Sequence, residues 1–266
     1  MLRPKSLALL LAVVAALLLP AGSAWALSYP VTSLGDSGIK GTLRASIEEA
    51  NEDDGADSIP IEVTGAILLG SVLPLVEGDL AIAGPGAAAL TIKRSVLAGN
   101  FGILDFDSGT SSLAGLTIAD GDATLGAGIH NETGELTLTR VAVVGNEAAA
   151  SVVEGPAQGG GIYSRGPLTL RESTVSGNRA IAEGSEAGTE GGGIFAGGAL
   201  TIERSTISGN VARDVSGGGG LLSALGGGVY AKGEATIDRS TISGNSVFAE
   251  EGTGAIAAGG DRKSVV

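Results

Sequence analysis

The phrase that decides the fold is Gly191-Gly192-Gly193-Ile194-Phe195, followed at residues 200–210 by Leu-Thr-Ile-Glu-Arg-Ser-Thr-Ile-Ser-Gly-Asn. Close copies occupy residues 159–178 and 226–245, and a looser copy occupies residues 126–146. The copies close on Asn146, Asn178, Asn210 and Asn245, at intervals of 32, 32 and 35 residues. A fixed period of this size indicates a stacked-repeat architecture, in which each repeat buries its apolar side against its neighbours.

The composition suits thin stacked layers. Of 266 residues, 46 are Gly and only 3% are aromatic, so the core must be built from Val, Ile, Leu and Ala. The chain has no Cys, and its stability therefore depends on stacking rather than on disulfides. The formal net charge of −13 opposes nucleic-acid binding, because phosphate contacts need a basic patch. We predict no nucleic-acid partner.

Residues 1–26 have the features of a secretory signal peptide. Arg3 and Lys5 precede an apolar run at 7–19, and Ala-Trp-Ala at 24–26 is a small-x-small cleavage site. The run is short for a membrane span, so an uncleaved anchor is the lesser alternative. We predict a chain that is secreted or held at the cell surface, with no membrane span after cleavage.

One amphipathic helix is predicted before the repeats. Leu43, Ile47 and Ala50 recur at the spacing that places apolar side chains on one face of a helix. Such a helix can cover the first coil, whose edge would otherwise expose unpaired backbone groups. The predicted segments are a signal peptide at 1–26, a cap at 27–58, stacked coils at 59–260 and an irregular tail at 261–266.

Each repeat holds three short β-rich segments separated by glycine-rich bends. Three strands in about 20 residues make one coil of a parallel β-helix, a three-sided solenoid in the all-β class. The Leu-Thr-Ile phrase first occurs at residues 90–95. The intervening segments at 147–158, 179–190 and 211–225 vary in sequence and length, and we predict that they are loops extruded from one corner.

Equivalent residues of stacked coils form columns, because coils repeat at the strand spacing of about 4.8 Å. The closing asparagines are suited to an amide ladder at a bend, and the preceding glycines allow the sharp turn. Another predicted column contains Arg94, Arg140, Arg204 and Arg239. It is either a basic grip for a polysaccharide or, as we favour, a solvated corner with alternating charges.

The cap and the repeats together resemble a known family. Residues 41–51, the later Asp57-Ser58-Ile59 and the units ending Ser-Thr-Ile-Ser-Gly-Asn are similar to bacterial secreted proteins with the so-called CSLREA domain. The name-giving motif differs here, since Gly41-Thr42 replaces Cys-Ser. The Gly-Gly-Gly-Ile units are distantly similar to the Gly-Gly-Ala-Ile repeats of chlamydial polymorphic outer-membrane proteins. This resemblance implies a right-handed parallel β-helix of the pectin-lyase-like type and a bacterial origin.

The residues with chemical potential are few. Asp105 and Asp107 alternate about Phe106, so both should point outward from one strand, as paired carboxylates of a glycosidase would. Asp120 and Asp122 flank Gly121 in a turn, where carboxylate oxygens could bind calcium; no other cofactor is predicted. The single histidine, His130, is level with Tyr163, Phe195 and Tyr230 in the other units, which predicts membership of an aromatic column.

Two functions remain open from the sequence. The leading hypothesis is a non-enzymatic structural, adhesive or glycan-binding protein whose partner is a polysaccharide or a surface protein. The alternative is a polysaccharide lyase or glycoside hydrolase acting in a lateral groove, since this fold hosts both kinds of protein. A groove with two or more carboxylates and a nearby Lys or Arg, together with cleavage of a polysaccharide, would favour the enzyme.

Overall fold

The computed structural model describes residues 26–151, 155–183, 188–215, 223–250 and 256–258. The predicted signal peptide, apart from Ala26, and the predicted tail at 261–266 lie outside these ranges. Within them, no helix has the length and apolar character needed to cross a membrane.

The described chain is an all-β parallel β-helix of five sheets, and the strands are numbered in chain order. Sheet I contains β3 (Val76–Glu77), β6 (Leu104–Ser108), β10 (Ile129–Asn131), β15 (Ile162–Ser164), β20 (Ile194–Ala196) and β25 (Val229–Ala231). Sheet II contains β1 (Asp57–Pro60), β4 (Leu80–Ala83), β7 (Thr110–Ala114), β11 (Glu135–Thr139), β16 (Leu168–Arg171), β21 (Leu200–Glu203) and β26 (Ala235–Asp238). Sheet III contains β2 (Gly65–Leu69), β5 (Leu90–Arg94), β8 (Thr117–Ala119), β12 (Ala142–Val144), β17 (Thr174–Ser176), β22 (Thr206–Ser208) and β27 (Thr241–Ser243).

Two smaller sheets form an arm beside the three-sided cylinder. Sheet IV contains β9 (Asp122–Ala123), β13 (Glu147–Ala150), β18 (Arg179–Glu183), β23 (Val211–Val215) and β28 (Ser246–Glu250). Sheet V contains β14 (Ala157–Gln158), β19 (Thr189–Glu190), β24 (Ser223–Leu225) and β29 (Ile256–Ala258). The prediction that the variable segments are loops was therefore wrong at both ends of each segment. Small residues such as Ala148, Ala180 and Ala157 allow the outgoing and returning strands to pack closely, and all three are fully buried.

The first Leu-Thr-Ile phrase lies in a different sheet from its later copies, so the prediction that Arg94 aligns with the later arginines was wrong. Its residues form β5, which pairs with β2 and β8 in sheet III, whereas the later copies of the phrase lie in sheet II. Alternating apolar and polar residues predict a strand but not its face, because every face of the cylinder buries the same pattern. Arg94 consequently does not belong to the column of Arg140, Arg204 and Arg239.

The core consists of aliphatic columns. Ile129, Ile162 and Ile194 are register partners in sheet I, and each is completely buried. The glycines before them are required by close packing of the coils: a Cβ atom on Gly193 would lie 2.6 Å from the carbonyl oxygen of Gly228 in the next coil. The repeated Gly-Gly-Gly-Ile phrase is therefore explained by stacking.

The closing asparagines form a continuous hydrogen-bonded ladder. The side-chain amide of Asn146 donates to Oδ1 of Asn178 at 2.9 Å, and the same bond links Asn178 to Asn210 and Asn210 to Asn245. Each Oδ1 also accepts from the backbone N–H of the previous asparagine, at 2.9–3.0 Å. Gly177, before Asn178, has a φ of 63°, the left-handed conformation that glycine adopts without strain. The ladder thus satisfies backbone groups at a buried bend.

The predicted capping helix is present as α1 (Leu43–Asn51). The Thr42 side chain accepts a hydrogen bond from the Ala45 N–H and so caps its first turn. Leu43 and Ile47 are completely buried, and the helix packs against β1 and β3. At its other end the Asn51 side chain accepts from the Glu77 N–H at 3.1 Å, which fixes the helix to the first coil.

Candidate functional site

The outward surface departs from the repeat at Asp120. Register places Asp120 level with Gly145, and its φ of 57° lies in the left-handed region that Gly145 adopts at 65°. Aspartate is one of the few residues that tolerate this conformation. Its Oδ2 lies 3.0 Å from Lys93 Nζ, so the carboxylate is held in an ion pair.

Asp122 begins β9 and is also paired with a cation. Arg94 Nη2 lies 3.8 Å from Asp122 Oδ2, and Arg94 Nε donates to the Asp120 carbonyl at 3.0 Å. The two carboxylates therefore have separate cationic partners. In the part of the chain that the structure describes, no group of three or more His, Cys, Asp or Glu side chains is arranged to hold a metal ion.

Asp122 lines an open surface groove with a volume of about 510 Å³. Phe101, Ala149 and Ile181 contribute apolar surface, and the polar contributors include Asn100, Asp122, Glu147 and Glu183. The groove lies where sheet IV lengthens from two residues in β9 to four in β13 and five in β18. The shortest strand leaves space that the longer strands of later coils then flank.

Charged residues of neighbouring coils lie side by side at this groove. Asp122 and Glu147 are register partners on β9 and β13, and Glu147 is itself the partner of Arg179 on β18. Arg179 Nε lies 3.5 Å from Glu147 Oε2, with both side chains roughly half exposed. Such carboxylates can accept hydrogen bonds from the hydroxyl groups of a ligand, and the guanidinium group can donate to them.

The other predicted carboxylates lie on β6 in sheet I. Phe106 is buried, whereas Asp105 and Asp107 both face outward. Oδ1 of Asp105 lies 2.6 Å from Nδ1 of His130, its register partner on β10. The structure therefore joins Asp105 to the only histidine of the chain, an association that the sequence analysis did not predict.

His130 connects two carboxylates with an aromatic column. Its Nε2 lies 3.5 Å from Glu132 Oε2, and Glu132 forms an ion pair with Arg165. Its ring stacks on Tyr163 with centroids 5.1 Å apart, which confirms the predicted column. Asp105 and His130 also line a cleft of about 240 Å³.

The column continues through the later coils. Tyr163 and Phe195 stack at 4.8 Å and Phe195 and Tyr230 at 5.9 Å, with Lys232 Nζ lying 4.8 Å from the Phe195 ring centroid. Only 7% of Tyr163 and 3% of Phe195 remain exposed. Burial raises the pKa of the Tyr163 hydroxyl above its ordinary value, because the phenolate would lose its hydration. These two rings stabilise the surface and are too covered to serve as open platforms.

The aligned arginines form a different kind of surface. Arg204 Nη2 lies 3.3 Å from Glu172 of the previous coil, and Arg171 Nη1 lies 2.6 Å from Glu203 of the next coil. Charge alternates at this exposed corner from Arg140 through Glu172 to Arg204, whereas Arg239 pairs with Asp238 of its own coil. This arrangement agrees with the favoured alternative of a solvated corner and not with a basic grip.

Sequence reasoning missed Phe101, Glu147 and Glu183, which join the groove from strands and connections distant in the chain. One signal could have found Glu147. It follows Asn146, and Asp122 follows Gly121, whose N–H donates to Asn146 Oδ1 as a ladder asparagine would. Aligning the residue after each bend places Asp122 and Glu147 side by side.

No protein-family model matches the chain, and no curated protein matches it.

Proposed function

We propose that this chain is an extracellular, non-enzymatic glycan-binding protein that serves a structural or adhesive role, and that the glycan lies in the groove beside sheet IV. The observation that carries the proposal is the combination, in one open groove, of apolar surface from the partly exposed Phe101 and Ala149 with carboxylate and amide groups. Sugars present apolar C–H faces and polar hydroxyl edges, and such a mixed surface complements both.

Location outside the cell is part of the same proposal. The predicted signal peptide at 1–26 and the resemblance to secreted CSLREA-type, pectin-lyase-like proteins support it. The high negative charge is unfavourable for nucleic acid and leaves polysaccharides or surface proteins as partners.

The experiment is binding of residues 27–266 to a panel of neutral, amino and acidic polysaccharides and their hexasaccharides, measured by calorimetry. We expect at least one glycan to bind, and Glu147→Gln to weaken it by about tenfold, as loss of a charged hydrogen bond of about 1.5 kcal/mol would. The matched control is Glu172→Gln. Glu172 is also a half-exposed glutamate paired with an arginine of a neighbouring coil, but it lies away from the groove, at the exposed corner that contains Arg204.

Two results would contradict the proposal. One is the absence of binding across the whole panel. The other is equal affinity of the Glu147→Gln and Glu172→Gln variants, which would place the ligand elsewhere.

A polysaccharide lyase or hydrolase is the second candidate, and the pairing of Asp122 with Glu147 favours it. Adjacent strands are about 4.8 Å apart, close to the roughly 5–5.5 Å that separates the carboxyl groups of retaining glycosidases. Incubating the same panel with the protein and measuring released sugar ends distinguishes the candidates. Cleavage that Glu147→Gln lowers by about a hundredfold would establish the enzyme and reject the non-enzymatic proposal.

A further inference from the structure

The aromatic column of sheet I has one open end. Tyr163 occupies one face of the His130 ring, with an interplanar angle of 16°. The opposite face is directed toward the preceding coil, where the register partner of His130 is Asp105 rather than an aromatic residue. Among the described residues, Tyr163 is the only ring stacked on His130.

A cleft lies at this end of the column. Its volume is about 240 Å³, and it is lined by His130, Asp105 and Leu104 together with Val72, Leu125 and Gly126. Val72 is 55% exposed at this cleft. The cleft is smaller than the roughly 300–1,000 Å³ of sites for drug-sized ligands and suits one six-membered ring.

We infer that this cleft is a second binding site, which takes a single pyranose ring stacked on the free face of His130 and so extends the aromatic column by one member. The inference rests on the proposed function, because the pyranose would be one unit of the glycan held in the groove. It adds a site that the groove does not include.

The polar groups around His130 favour a sugar over an aromatic ligand. Asp105 holds His130 Nδ1 and fixes the plane of the ring, yet 44% of its side chain remains exposed. Glu132 on the other side of the imidazole is 35% exposed. Asp105, which lines the cleft, can accept a hydrogen bond from a ring hydroxyl, whereas a purely aromatic ligand would remove water from it without replacement. The negative charge of the two carboxylates also disfavours a uronic acid at this position.

The cleft and the groove are neighbours. Ala123 lines both, with Phe101 and Asp122 on the groove side and Gly102 and Leu125 on the cleft side. A glycan chain that crosses Ala123 could therefore place consecutive units in the two cavities. Because the two cavities adjoin at Ala123, we expect a short glycan that occupies both to bind more tightly than one that occupies the groove alone.

The test uses the single histidine as a reporter, in a protein without an affinity tag. Methyl pyranosides of glucose, galactose, mannose and N-acetylglucosamine are titrated while the carbon-bound ring protons of His130 are followed by NMR. We expect a saturable shift of these signals with at least one neutral pyranoside, and no shift with methyl galacturonate or with phenol. Shifts with phenol alone, or with none of the probes, would overturn the inference.

Variants provide the second measurement. His130→Ala should weaken pyranoside binding by about two- to twelvefold, the range that a stacking contact of about 0.5–1.5 kcal/mol predicts, whereas His130→Phe retains a ring and should bind nearly as the original chain does. Val72→Trp should block the cleft while leaving the backbone contacts of residue 72 in place. Tyr230→Ala at the distant end of the column is the matched control and should have no effect on binding.

The inference and the proposed function can fail separately. If the glycan panel binds and depends on Glu147, but the His130 variants bind it equally well, the cleft is rejected and the groove stands. If pyranosides bind at His130 with the same affinity in the Glu147→Gln variant, while no glycan of the panel depends on Glu147, the cleft stands and the groove is rejected.

Discussion

Asn146 and Glu147 are consecutive residues that belong to two neighbouring columns. The residue type is the same throughout the first column and varies in the second. The first column is completely buried at Asn146, Asn178 and Asn210, and each amide bonds to the next. The second column reads Asp122, Glu147, Arg179, Val211 and Ser246 from coil to coil. Buried backbone groups at the bend require a side chain with one donor and one acceptor in register, so the first column is constant. The second faces water, so its residues can vary from coil to coil.

The largest effect should come from breaking the constant column. Asn178→Ala removes an Oδ1 that accepts from the N–H and the amide of Asn146, and an amide that donates to Val143 and Asn210. Several buried polar groups lose their partners at about 1–3 kcal/mol each. We expect the free energy of unfolding, measured by urea denaturation, to fall by about 3–5 kcal/mol.

Asn178→Asp is the informative companion, because it keeps the shape but replaces the donating amide with an oxygen. It should be destabilising to a similar degree if hydrogen bonding is the cause. If the free energy of unfolding fell by less than about 1 kcal/mol in both variants, the asparagine ladder would not be a major source of stability.

Removing a buried hydroxyl that has no hydrogen-bond partner should stabilise the protein instead of destabilising it. Thr189 on β19 is fully buried, and its Oγ1 is the one buried side-chain polar atom without a hydrogen-bond partner in the described part of the chain. Thr189→Val replaces this hydroxyl with a methyl group of similar size and should raise the free energy of unfolding by about 1 kcal/mol. Thr201→Val, at an outward position of sheet II, is the control and should change little. A destabilised Thr189→Val variant would mean that the arm, like the ladder, depends on its polar side chains.

The two columns also explain what the sequence could predict. The sequence predicted the period, the asparagine bend and the place of His130 in the aromatic column, because residues that recur at the repeat period contact each other once the coils stack. It predicted the capping helix from the spacing of its apolar residues. The face on which Leu90–Arg94 lies did not follow, because alternation is the same on every face. The groove did not follow either, since Phe101, Glu147 and Glu183 recur nowhere. The register of sheet IV brings Glu147 and Glu183 together, and Phe101 joins them through a hydrogen bond from the Asp122 N–H to its carbonyl.

A smaller effect, dependent on pH, is expected when Tyr163 is replaced by phenylalanine. Burial raises the folded-state pKa of Tyr163, so above the unfolded value of about 10 the unfolded chain loses this proton first. The contribution is complete below that pH and is lost as the pH rises toward the folded-state pKa. Tyr163→Phe keeps the stacked ring, and its free energy of unfolding should therefore decline less steeply above about pH 10. Equal slopes for the two proteins would show that Tyr163 does not ionise differently on unfolding.

The smallest effect is expected in the variable column itself. Glu147→Gln breaks an exposed pair with Arg179, and Glu172→Gln breaks a similar pair with Arg204. Exposed ion pairs contribute about 0–1 kcal/mol, because solvent screens them and long side chains lose entropy when they pair. Urea denaturation should therefore show nearly equal, small losses for both, even though we expect only Glu147→Gln to weaken glycan binding. A loss of about 3 kcal/mol for Glu147→Gln would place Glu147 under the same constraint as the asparagines, and its variation along the column would then need an explanation other than ligand binding.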